Sequence, residues 1–180
     1  MAFPTDTVYG LAADPRSASA VANIFATKKR PSDQPIPLIV CDVAQIVTAG
    51  TLTKLAAILA AAFWPGPLSL IIPASSDLST SVHLGTGAVA VRVPDHEIAR
   101  ALARLVGHAI TATSANISGL PAARTADEAA RDLADRIDVL VDDGAAPGGL
   151  ASTIVDVTGS EPKLVRPGAI DWNRVLEFLH

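Results

Sequence analysis

The sequence predicts an α/β layer structure with a mixed rather than wholly parallel sheet. Apolar, β-rich runs alternate with segments whose apolar residues recur at helical spacing, which is the pattern of strands and helices in layers. Three strand-like runs then cluster near the C-terminus, and consecutive strands without intervening helices pair most simply as antiparallel neighbours. At 180 residues the chain suits one domain, residues 1–180, able to bury a core without disulfide or metal staples.

Taken in order, Phe3 and Pro4 read as the end of a first strand. Ser17 is placed to cap a helix in which Val21, Ile24, Phe25 and Lys28 share a face, and Lys28, Lys29 and Arg30 close it. Pro31, Pro35 and Pro37 then impose extended backbone and lead into a buried strand at Leu38–Val40. From Thr51 to Phe63 an apolar stripe of Leu52, Leu55, Ala56, Leu59 and Phe63 predicts a second helix, stopped by Trp64-Pro65-Gly66-Pro67 ahead of a strand at Leu68–Ile72. Ala88–Val93 is β-rich and passes through Pro94 and a capping Asp95 into a helix carrying Ile98, Leu102 and Leu105, which Gly107 ends. Ala109–Thr113 is a short strand followed by the loop TSANISG, and Thr125 with Glu128 has capping-box spacing for a helix to about Leu133. The late strands fall near Val139–Val141, Thr153–Val157 and Leu164–Arg166, before a final helix opened by Asp171 and carrying Val175, Leu176 and Leu179.

Composition narrows the function. No run of about 18 uninterrupted apolar residues exists to span a membrane, and MAFPTDT has none of the features of a secretory leader, so a cytoplasmic, soluble protein without a membrane partner is expected. The lone Cys41 forms no internal disulfide and reads as a core residue. A net charge of −4 argues against broad attraction to nucleic acid, leaving only the local patch Lys28–Arg30. Taken alone, that patch reads first as a solvated helix end favoured by the dipole.

Hydroxyl-bearing residues and isolated arginines recur at the ends of the predicted strands, as a pocket for anions and a small polar substrate requires. In PTDTVYGL, Thr5, Asp6, Thr7 and Tyr9 precede a glycine, a composition that also suits a plain polar turn. Arg92 sits among apolar residues in VRVPDH and needs a partner, either Asp95 or a ligand carboxylate, whereas His96 in the first turn of its helix reads as structural. Ser114 has no nucleophile elbow around it and no assignable histidine and acid partners, so a hydrolytic serine is not indicated. A G-x-x-x-x-G-K-[ST] loop is missing, the glycine pairs at Gly85–Gly87 and Gly144–Gly149 read as turns, and no carboxylate or histidine cluster assigns a protein-held metal.

Five motifs in order, PTDTVYGL with KKRPSDQP, VRVPDH, TSANISG, STIVD and RPGAI, resemble the YrdC-type threonylcarbamoyl-adenylate synthase family over nearly the whole chain. The resemblance implies a twisted open sheet flanked by helices around a large concave cavity. It implies synthesis of threonylcarbamoyl-adenylate and pyrophosphate from L-threonine, bicarbonate or carbon dioxide, and ATP with Mg2+, for threonylcarbamoyl-adenosine modification of tRNA. By the same resemblance Thr7, with Thr5 supporting it, Arg92 and Ser152 contact threonine. Arg30, Gln34, Ser114, Asn116 and Arg166 contact ATP, and Lys28 and Arg30 act electrostatically without a covalent nucleophile. The implied partners are a downstream tRNA-modifying threonylcarbamoyl transferase and a weak contact with tRNA itself. Two departures stand out: the family's N-terminal helix and part of its first strand are lacking, and Ile39 or Cys41 stands where relatives carry a histidine. A noncatalytic RNA-binding module, or a carbamoyl-transfer domain of hydrogenase-maturation type, are the alternatives the same resemblance leaves.

Overall fold

The computed structural model describes residues 1–31 and 34–179, so Ser32 and Asp33 of KKRPSDQP and the terminal His180 lie outside the described residues. Two sheets form the frame. The smaller joins β1 (Ala2–Phe3), β2 (Gly10–Leu11) and β7 (Thr113–Ser114) in antiparallel order β1-β2-β7. The larger has six strands in the order β6-β3-β5-β4-β8-β9: β3 (Leu38–Ile39), β4 (Leu68–Pro73), β5 (Ala88–Arg92), β6 (Ile110–Thr111), β8 (Thr153–Asp156) and β9 (Lys163–Arg166). It is mixed, with β3 parallel to β5 and β4 parallel to β8, and its other pairs antiparallel.

The helices are α1 (Ala18–Lys28), α2 (Lys54–Phe63), the single turn α3 (Thr80–His83), α4 (Glu97–Val106), α5 (Ala126–Leu133) and α6 (Trp172–Glu177). Five begin at side-chain caps, from Ser17, Thr53, Ser79, Thr125 and Asp171, of which the sequence predicts Ser17, Thr125 and Asp171. The sheet is covered on both faces. Leu38 joins the larger core, where Leu59 of α2 packs with Leu68, Leu70 and Ile72 of β4. Ile39, one residue on and therefore on the opposite face, packs against Ala99 and Ala103 of α4 with Cys41 and Ile110. Each such fully buried Leu or Ile contributes roughly 1.5–3 kcal/mol from its removal from water.

Strand direction decides where the polar residues gather. Because β5 opposes β4 and β8 opposes β9, the carboxyl ends of β5 and β9 lie on the same edge as the amino ends of β4 and β8. Arg92, Arg166, Ser69 and Ser152 all fall on that edge. The segment 110–114 crosses between the sheets, pairing with β3 as β6 and with β2 as β7.

Several expectations need correction. The strand near Val139–Val141 is a single bridge of Leu140 to Ala2, because its backbone meets only that two-residue strand. Asp95 does not cap α4: His96 holds the cap position, without a side-chain bond, and Arg100 N donates to its carbonyl. The second helix starts at Lys54 rather than Thr51, since the Thr53 hydroxyl captures Ala56 N. PTDTVYGL is not all turn, as its Gly10 and Leu11 form the central strand of the small sheet.

Candidate active site

The end of α1 aims its basic residues in different directions. Lys29 takes the left-handed conformation (φ 48°), and Lys29 N and Arg30 N donate to Ala26 O and Phe25 O, a Schellman-type stop. Lys28, the last helical residue, thereby points inward and is 2% exposed, so it is no solvated helix end. Its ammonium donates to Ser114 O, to Asn116 O at 2.8 Å and to Asn116 Oδ1 at 3.2 Å. Three donors meet three acceptors, and the turn after β7 is held in place. Burial, reinforced by the positive charge of Arg30, pulls the Lys28 pKa down to about 8.

Past the turn, Arg30 donates through Nη1 to Thr113 Oγ1 (3.0 Å) and through Nη2 to Pro35 O (3.0 Å) and Gln34 O (3.5 Å). The Asn116 amide donates to Ile117 O and Leu120 O, which closes the TSANISG loop. A recess of about 520 Å³ opens between these parts, lined by Lys28, Arg30, Gln34, Ser114 and Asn116 with their neighbours Lys29, Pro31, Ser118 and Gly119. Among the described residues its walls carry three cations and no carboxylate, a setting for an anionic ligand.

The second cluster lies on the sheet edge. Arg92 is 7% exposed and donates from Nη1 to Asp6 Oδ1 at 2.7 Å and from Nη2 to Thr7 Oγ1 at 3.4 Å. Its protein partner is therefore Asp6 and not Asp95. The Thr5 hydroxyl accepts from Thr7 N and Val8 N and donates to Val8 O, which fixes the loop that presents Asp6 and Thr7. Tyr9 anchors the loop further, its hydroxyl donating to Gly144 O at 2.7 Å and its carbonyl accepting from Ala115 N. The segment Thr5–Tyr9 thus touches Arg92 at Asp6 and Thr7 and the TSANISG turn at Tyr9.

Arg166, at the end of β9, folds onto Ser152, donating to its carbonyl (2.7 Å) and hydroxyl (3.2 Å), and the Ser152 hydroxyl pairs with Ser69 at 2.9 Å. Gly168 permits this closure: a Cβ there would lie 2.3 Å from Ala151 O and 2.5 Å from Thr153 N. Partial burial and the nearby charge of Arg92 hold the Arg166 guanidinium below its ordinary pKa. Two cations kept within electrostatic reach favour an anion between them.

A family model described as Telomere recombination, that of the Sua5, YciO and YrdC proteins, matches residues 1–168. The chain belongs to the Sua5/YciO/YrdC family. Among its relatives, the threonylcarbamoyl-AMP synthase of Pyrococcus abyssi is 42% identical over 97% of this chain and 52% of its own length. That of Bacillus subtilis is 43% identical over 97% of this chain and 51% of its own. The crystal structure of P. abyssi Sua5 complexed with L-threonine superposes with a TM-score of 0.93 at 38% identity, over 99% of this chain and 53% of that one. The chain spans about half the length of the curated relatives it matches.

Within this member of the Sua5/YciO/YrdC family, Lys28, Arg30, Gln34, Ser114 and Asn116 come together around one recess. Thr7 and Arg92 meet in the second cluster, and Arg166 lies there with Ser152 rather than on the recess wall. Sequence reasoning missed Ser69, Thr113 and Asp6 as partners. Asp6 could have been singled out as the one acid among the hydroxyls of PTDT, but its pairing with a residue 86 positions away is a product of folding. At the position of the family histidine, Ile39 and Cys41 are both buried apolar packing, and burial first of all raises the Cys41 pKa. His96 Nε2 lies 4.0 Å from Asp143 Oδ2. Another recess, of about 460 Å³ between α1 and Arg136–Asp138, contains none of the candidate site residues. Among the described residues, no group of three His, Cys, Asp or Glu is placed to hold a metal, and no helix is long and apolar enough to cross a membrane.

Proposed function

We propose that the chain is a threonylcarbamoyl-AMP synthase, joining L-threonine, bicarbonate or carbon dioxide, and ATP into threonylcarbamoyl-adenylate and pyrophosphate. The carrying observation is a recess whose described lining residues are cationic and include no acid, together with a second, buried arginine site at Arg92. Likeness to relatives of that name, one of them complexed with L-threonine, supports it.

On this reading ATP occupies the recess, with phosphate oxygens on Arg30 and the ribose or base near Gln34, Ser114 and Asn116. Arg166 reaches the phosphates from the far side, while Arg92 receives the threonine carboxylate beside Thr7 and Ser152. Magnesium would enter with the ATP phosphates and supply neutralisation of their charge. The threonine nitrogen adds its lone pair to carbon dioxide and loses a proton, giving a carbamate. A carbamate oxygen then attacks the α-phosphorus, and pyrophosphate leaves with the electron pair of the broken P–O bond. No covalent enzyme intermediate is needed; alignment of two anions and neutralisation of their charge supply the rate enhancement. Lys28 contributes by holding Ser114 and Asn116 in place. The labile product is passed to a tRNA-modifying threonylcarbamoyl transferase in the cytoplasm. Net charge of −4 and 4% aromatic residues disfavour the RNA-binding alternative and leave at most a weak tRNA contact.

Pyrophosphate release measured with each substrate omitted in turn tests the assignment. Release should require L-threonine, bicarbonate and ATP together, and equal release without threonine would rule the reaction out.

A further inference from the structure

We propose that Asp6 is a substrate-binding residue whose free carboxylate oxygen, Oδ2, receives the ammonium group of the amino acid whose carboxylate Arg92 holds. The inference rests on the threonine reading above and deepens it. The Asp6 side chain is 10% exposed, and its Oδ2 is shielded from solvent without a hydrogen-bond partner among the described residues. A carboxylate oxygen buried in that way is costly unless a donor arrives.

The hydroxyls on either side of it in the loop are engaged elsewhere. The Thr5 hydroxyl gives its proton to Val8 O, and the Thr7 hydroxyl lies between Thr5 Oγ1 and Arg92 Nη2. A carboxylate serving only to orient an arginine gains most from the two-pronged pairing that uses both oxygens. Here Arg92 meets Asp6 through Oδ1 alone and turns its other Nη toward Thr7, so Oδ2 is left over by the geometry. The acid nearby in the adjoining loop, Asp142, is already taken up by Tyr9 and Gly144 N. An α-amino acid carries opposite charges on substituents of one carbon. A buried guanidinium and a buried carboxylate 2.7 Å apart present the complementary pair.

Calorimetry with L-threonine and with (R)-3-hydroxybutanoate, the same molecule without its amino group, tests this in wild type and in Asp6→Asn. Wild type should prefer L-threonine by about ten- to a hundredfold, the range for a hydrogen bond to a charged group. In Asp6→Asn, checked for fold by circular dichroism and for ATP binding, the preference should fall to within about threefold. A variant that loses affinity for both ligands equally, keeping the wild-type ratio, would show that Asp6 acts only through Arg92 and overturn the proposal. Equal binding of the two ligands by wild type overturns it without any variant. Absence of L-threonine binding to wild type is a different failure, in which the substrate reading falls and takes this inference with it.

Discussion

Arg30, Arg92 and Arg166 have the same side chain but different surroundings, and this separates what their removal should do. Arg92 is buried against Asp6 and Thr7, whereas Arg30 faces the recess from the end of α1. Charge-assisted contacts contribute about 1.5–3 kcal/mol, or roughly ten- to more than a hundredfold in binding. Arg92→Ala should raise the apparent KM for threonine by that factor and leave ATP affinity, measured by calorimetry without threonine, nearly unchanged. Arg30→Ala and Arg166→Ala should weaken ATP directly; unchanged ATP binding in both would move the nucleotide out of the recess. Lys28 adds a pH dependence. With its pKa near 8 rather than the usual 10.5, the folded protein gives up this proton before the unfolded chain does. Between about pH 8 and 10.5 the unfolded state binds more protons, so the Lys28 contribution to stability rises with pH. Function runs the other way, because a neutral amine has two donors for three oxygens and loosens Ser114 and Asn116. ATP affinity should therefore fall through pH 8 in wild type and show no such step in Lys28→Met. The residue types of this site were legible in the sequence; their pairings were not, since Arg92 with Asp6 and Lys28 with Asn116 span 86 and 88 positions.

Elements long enough to show a period were readable, and several of the shortest were not, although β3 and β6 fall within expected strands. α1, α4 and α5 carry apolar stripes, and β4 alternates Leu68, Leu70 and Ile72 on one face. By contrast β2 and β7 are two residues each and α3 is four, too few for periodicity, and they exist because tertiary partners supply their hydrogen bonds. RPGAI shows how an element can depend on one residue that the period ignores. Gly168 has ordinary space requirements in sequence terms, yet the backbone of Ala151–Thr153 passes where its Cβ would be. Ala169 N donates to Ala151 O at 2.9 Å and Ile170 N to Thr153 Oγ1, so this crossing fixes the start of β8 relative to the end of β9. Gly168→Ala should force the two segments apart, costing about 1–3 kcal/mol, as overpacking does. Because Arg166 holds Ser152 across the same crossing, ATP and threonine binding should both weaken, unlike the single-substrate effects of the arginine variants. Denaturant titration with paired calorimetry measures the two consequences on one protein sample.

At the scale of the whole molecule, the two sheets could unfold independently if they were separate cores, and the topology argues that they do not. Residues 110–114 belong to both sheets, pairing with β3 and then with β2, and Ala112 N between them donates to Pro37 O at 2.8 Å. The larger core cluster also runs through both, since Ala2, Tyr9 and Leu11 of the small-sheet region pack in it with Leu70, Val91 and Val155 of the large sheet. The ion pair of Arg92 with Asp6 adds a buried link from β5 to the loop joining β1 and β2. Breaking either sheet alone would leave buried donors and apolar surface exposed on the other, so partial unfolding gains little chain entropy for a large loss of contacts. Thermal or denaturant unfolding should then follow a single transition. Far-ultraviolet circular dichroism reports on all the helices and strands, whereas fluorescence reports on Trp64 and Trp172, which pack against the larger core. The two curves should coincide, with equal midpoints. ATP, if it occupies the recess as proposed, would meet Lys28 of α1 and Ser114 of β7, and by mass action should add about 2.7 kcal/mol of stability at a hundred times its Kd and so raise both midpoints together. Separate midpoints, or an ATP shift confined to one probe, would mean that the crossing at Ala112 does not couple the sheets and that the site is assembled from two bodies.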